Sequence, residues 1–81
     1  MNHGIPMVDM GETGKRIKEL RERSGLSVRE VQNFLGLEAP QSIYHWQNGK
    51  TLPSVDHLIA LSKLFGVSVE EILILRGSDC L

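Results

Sequence analysis

The chain has 81 residues, 41% of them hydrophobic and 23% charged, with a formal net charge of −1. That length bounds it to one small domain with a limited core, and the hydrophobic share argues for a folded globule over disorder. One cysteine, Cys80, excludes an internal disulfide or a cysteine metal site, and no apolar run reaches the ~20 residues of a membrane span.

Near neutrality argues against a ligand-binding mode that works mainly by charge. The charges are unevenly placed, however. All nine Lys and Arg lie between Lys15 and Arg76, whereas Asp9, Glu12 and Asp79 lie outside, so that span holds nine bases against seven acids. The N-terminus lacks the apolar core of a signal peptide, so a cytoplasmic location is the expectation.

Residues 1–12 hold two glycines, a proline and no periodic apolar pattern, which predicts a flexible arm. From Thr13 the punctuation becomes regular. Gly25, Gly36, Gly49, Gly66 and Gly77 each follow a run of helical periodicity. Ser27 with Glu30, and Ser68 with Glu71, have capping-box spacing. Ser54 suits an N-cap and Pro40 a first helical turn.

Five helices are predicted. The first runs from about Thr13 to Ser24, with Ile17 and Leu20 inward. The second spans about Ser27 to Leu35, with Val28, Val31, Phe34 and Leu35 on or near one face. The third spans about Pro40 to Asn48, with Ile43 and Trp46 inward. The fourth spans about Ser54 to Phe65 and carries Val55, Leu58, Ile59, Leu61, Leu64 and Phe65. The fifth spans about Ser68 to Arg76 and carries Val69 and Ile72 to Leu75. No strand pattern, repeat or low-complexity segment stands out. The expectation is an all-α, compact five-helix domain over residues 13–77, with a C-terminal tail at 78–81.

Two of these helices carry more than packing. The fifth holds four consecutive apolar residues, Ile72, Leu73, Ile74 and Leu75, which cover more than one helix face. The excess predicts a homodimer interface, unless the helix is buried on two sides. The third has few apolar anchors. Its start and other faces present Gln41, Ser42, Tyr44, His45 and Gln47, which form hydrogen bonds and carry little charge. Such a face suits the reading of base edges in a DNA groove.

The chain resembles the lambda-type repressor, Cro or Xre family of helix-turn-helix DNA-binding proteins. The resemblance covers about Lys15 to Leu75. It is carried by Ile17-Lys18-Glu19-Leu20-Arg21, Gly25-Leu26-Ser27, Leu35-Gly36, Ser42-Ile43, Trp46-Gln47-Asn48-Gly49-Lys50 with Pro53, Ala60-Leu61 and Phe65-Gly66-Val67-Ser68. It implies that the third helix enters the major groove of double-stranded DNA, with base contacts from Pro40, Gln41, Tyr44 and His45. Gln41 has the amide that pairs with adenine, His45 can donate to guanine, and Tyr44 can meet a thymine methyl. Tyr44 and His45 are otherwise simply an exposed helix face. Trp46 is expected in the core.

Phosphate contacts are expected from the amides around Asn48 and Gly49, from Lys50, and from the helix openings at Ser27 and Ser54. Three departures from the family pattern bear on this. The connection Gly36-Leu37-Glu38-Ala39-Pro40 is one residue longer than usual and brings Glu38 toward the DNA. Gln47 stands where an acid commonly pairs with an arginine of the first helix, which would free Arg21 to meet a phosphate. Val28 replaces a frequent phosphate-binding glutamine.

The functional expectation is a transcriptional repressor acting as a homodimer on an inverted repeat, with half-sites about 34 Å apart. The alternative is a protein-interaction module on the same fold, antitoxin-like or developmental, with a protein partner. An enzyme is disfavoured. His3, His45 and His57 lack metal-ligand spacing, Cys80 lies in a tail, and the glycines end helices instead of cradling phosphate. No cofactor or metal is expected.

Overall fold

The computed structural model describes residues 7–76. His3, Gly77, Cys80, the tail 78–81 and the first half of the expected arm lie outside the described residues. Five helices follow in order: α1 (Met10–Arg23), α2 (Val28–Leu35), α3 (Gln41–Gln47), α4 (Val55–Phe65) and α5 (Val69–Ile72). The fold class is all-α. Two short strands, β1 (Met7–Val8) and β2 (Leu75–Arg76), pair antiparallel with Met7 opposite Arg76 and Val8 opposite Leu75.

The chemistry read from the sequence starts and stops most of these helices. Ser27 and Ser68 each form a full capping box, with Glu30 and Glu71 respectively, and Ser54 Oγ accepts from the His57 amide. α1 begins earlier than expected. Asp9 caps it by accepting from the Glu12 amide at 3.0 Å, so residues 10–12 belong to the helix and not to an arm.

The C-terminal end differs more. α5 stops at Ile72 instead of continuing to Arg76, because the next residues bond elsewhere. The Ile74 amide donates to Thr13 Oγ1 at 2.9 Å, and the Ile74 carbonyl accepts from the Asp9 amide at 2.7 Å. Thr13 is fully buried, yet this exchange satisfies it. The chain therefore leaves α5 past the start of α1, held there by Ile74, and continues as β2 against β1.

The core gathers Ile17 and Leu20 of α1, Val31 of α2, Ile43 and Trp46 of α3, Leu58 and Leu61 of α4, and Ile72 of α5. α1 and α3 pack closest. A Cβ on Gly14 would stand 2.8 Å from the Gln47 carbonyl oxygen and closer still to that of Trp46, so only glycine admits this approach. Phe34, expected on or near the apolar face of α2, is exposed.

Candidate nucleic-acid interface

α3 owes its position to two buried side chains. Ile43 is fully buried and Trp46 nearly so, and the Trp46 ring lies 5.5 Å from that of His57 in the first turn of α4. With that side anchored, Gln41, Tyr44, His45 and Asn48 all stand exposed. Their spacing of i, i+3, i+4 and i+7 places them along one helix face. Ser42 is exposed beside them, and Pro40 is half-buried at the helix start. The preceding turn is held by Gln32, whose Nε2 donates to the Leu37 carbonyl at 3.3 Å, and it presents Glu38 and Ala39 to solvent.

The expected phosphate contacts are redistributed. Asn48, Gly49 and Lys50 do follow α3, but their amides turn inward. The Asn48 amide donates to the Tyr44 carbonyl, that of Gly49 to Trp46 at 3.1 Å, and that of Lys50 to His45 at 2.9 Å. With Gly49 at φ +76°, this is a Schellman closure, and it leaves the side chains of Asn48 and Lys50 as the groups the turn offers.

Ser27 is also committed. Its hydroxyl accepts from the Glu30 amide and its own amide donates to Glu30 Oε1 at 2.8 Å, so a carboxylate already occupies that donor. Arg29, exposed in the same turn, is the cation the sequence reading passed over. Its position two residues past the capping serine was a visible signal. Ser54 remains exposed at the start of α4.

Arg21 is engaged internally. Its side chain is only 13% exposed. Nε donates to Gln47 Oε1 at 3.0 Å and Nη1 to the Leu26 carbonyl at 2.8 Å, while Nη2 lies 3.9 Å from Glu22. The amide oxygen of Gln47 accepts as an acid would, so the arginine is not freed. It ties the end of α1 to the last residue of α3 and to the turn ahead of α2.

Of the expected dimer patch, Ile72 is withdrawn into the core, while Leu73 and Leu75 line one surface depression with Glu70. Ile72 is fully buried, Leu73 and Ile74 are half-buried, and only Leu75 is exposed, because the helix that would have displayed them ends at Ile72. Among the described residues no group of three His, Cys, Asp or Glu stands together as metal ligands, and no helix is long and apolar enough to cross a membrane.

A helix buried on one side, polar on the other and preceded by a second short helix defines a helix-turn-helix unit. The helix-turn-helix family model matches residues 17–72, and the chain belongs to that family, of the lambda-repressor-like or Xre type. The family is typified by DNA-binding regulators of transcription.

Among solved structures the chain is similar to the restriction-modification controller protein C.AhdI from Aeromonas hydrophila. The two share 23% identity over 79% of this chain and 96% of that one, with a TM-score of 0.70. It is also similar to the DNA-binding domain of BldD, at 22% identity over 82% of this chain and 94% of that one, TM-score 0.68. A third likeness is to hydroxypropylphosphonic acid epoxidase from S. wedmorenis, at 19% identity and TM-score 0.71. There the match spans 84% of this chain but 35% of the enzyme. At these identities the likenesses concern the fold. No protein with a curated description matches the sequence.

Proposed function

We propose that the protein is a transcriptional repressor that binds an inverted repeat in double-stranded DNA as a homodimer, each copy reading one half-site with α3. The observation that carries this reading is the exposed row Gln41, Tyr44, His45 and Asn48 on a helix whose opposite side is locked by Ile43 and Trp46. A rigidly held helix keeps hydrogen-bonding side chains in register with base edges, which is what sequence discrimination requires.

The roles follow from the chemistry of each side chain. Gln41 can donate to adenine N7 and accept from its N6 amino group. His45 donates to guanine, and Tyr44 and Pro40 offer apolar surface to a thymine methyl. Lys50, Asn48, Ser54 and Arg29 supply phosphate contacts, which set the register and carry no sequence information. Arg21 serves behind them, fixing the end of α3. Repression then comes from occupancy of the operator.

Selection of bound duplexes from a random pool tests this reading. Enrichment of an inverted repeat is the expected outcome. Failure to enrich any sequence, by a protein that circular dichroism shows to be folded, would overturn it and turn attention to the protein-interaction alternative.

A further inference from the structure

The solvent side of α4 carries an apolar pair beside two charges. Val55 is 71% exposed and Ile59 47%, one turn apart on a flank of the helix, turned away from the buried Leu61 and bordering the buried Leu58. Two charges border this strip. Asp56 and Lys63 are seven residues apart, two turns, so both lie along the same edge of the strip at opposite ends. Both are exposed, and among the described residues neither takes part in an ion pair.

This arrangement is self-complementary. When two copies of α4 lie antiparallel about a two-fold axis perpendicular to the helices, the axis exchanges their ends but keeps each edge on its own side. Asp56 of one copy then meets Lys63 of the other, twice, while Ile59 meets its own equivalent near the axis and Val55 packs beside it. A surface that matches itself under a two-fold rotation is the requirement for an isologous dimer.

We propose that the α4 strip Val55–Ile59, bordered by Asp56 and Lys63, docks against a second copy of this chain. The inference rests on the preceding reading that two copies share one operator, and it replaces the α5 patch as their contact. A strip on one short helix is smaller than the ~800 Å² per partner of a standard interface. The pair is therefore weak in free solution and is strengthened on DNA, where adjacent half-sites raise the local concentration of one copy near the other.

Sedimentation equilibrium of the full chain without DNA, over concentrations reaching the millimolar range, tests the contact. The wild type should pass reversibly from the 9.1 kDa monomer toward twice that mass. Ile59→Glu should hold it at the monomer. Asp56→Lys or Lys63→Asp alone should weaken association about tenfold or more, by setting like charges face to face. The double swap Asp56→Lys with Lys63→Asp should restore it.

A wild type that stays monomeric overturns the proposal, as does a dimer indifferent to Ile59→Glu, or a folded double swap no better than the single changes. The swap opposes the dipole of α4, so circular dichroism accompanies each variant. Ile59→Glu, which leaves those charges in place, decides the matter where the swap does not fold. A monomeric wild type that still enriches a single half-site would sink the α4 contact while leaving the DNA reading intact.

Discussion

Arg21 is a cation whose donors are spent inside the protein. Its replacement by Ala removes the hydrogen bonds to Gln47 and to the Leu26 carbonyl. Charge-assisted bonds of this kind contribute about 1.5–3 kcal/mol each to stability. The variant should therefore melt well below the wild type, with any loss of DNA affinity following from that. An Arg21→Ala protein of unchanged stability but weaker DNA binding would return the arginine to the phosphate backbone.

Gly14 and Thr13 belong to the same scale. A methyl on Gly14 would press on the carbonyl oxygens of Trp46 and Gln47 and force α3 away from α1. Overpacking costs about 1–3 kcal/mol, and if α3 reads bases as proposed, Gly14→Ala should lower both the melting temperature and DNA discrimination. Thr13→Val keeps the shape but leaves the Ile74 amide without its acceptor. A cost of about 1–3 kcal/mol is expected in a denaturant titration.

At the scale of elements, the two capping boxes were legible in full, because Ser27 with Glu30 and Ser68 with Glu71 depend only on local spacing. So were the anchors Ile17, Leu20, Ile43 and Trp46, which a helical period marks directly. The inward turn of the amides after α3 was also within reach, since a glycine at the C-terminal position implies the closure that Gly49 makes. The end of α5 was not. It depends on bonds from Ile74 to Asp9 and Thr13, more than sixty residues away, and two-residue strands leave no alternation to detect. Phe34 follows the period of α2, yet its side of the helix meets solvent, a fact only the packing of neighbours decides.

The α5 box also has a pH signature. The Ser68 amide holds the Glu71 carboxyl below its ordinary value of 4.5, with the Ser68 hydroxyl and Arg16 acting in the same direction. A carboxyl with a depressed value in the folded state stabilises the fold above the unfolded value and loses that contribution as pH falls through the folded one. Melting temperature should therefore decline in that acid range, and Glu71→Gln should flatten that part of the profile. Coincident profiles for the two proteins would contradict the assignment.

For the whole molecule, charge sets how DNA is held. With a net charge of −1 and its Ser27 and Arg21 donors engaged internally, the protein has few side chains left for phosphates. Affinity should fall with salt along a shallow line, and Lys50→Ala should lower the magnitude of that slope by about one while weakening all sequences alike. Anisotropy titrations at several salt concentrations measure both.

The central claim is that α3 reads bases through its exposed row. The most direct test compares duplex selection by the wild type with selection by the Gln41→Ala, His45→Ala double variant, both folded. The account predicts that the variant keeps its salt-dependent, non-specific affinity and loses preference at positions within each half-site. An unchanged motif in the double variant would contradict it, because the bases would then be read from somewhere other than α3.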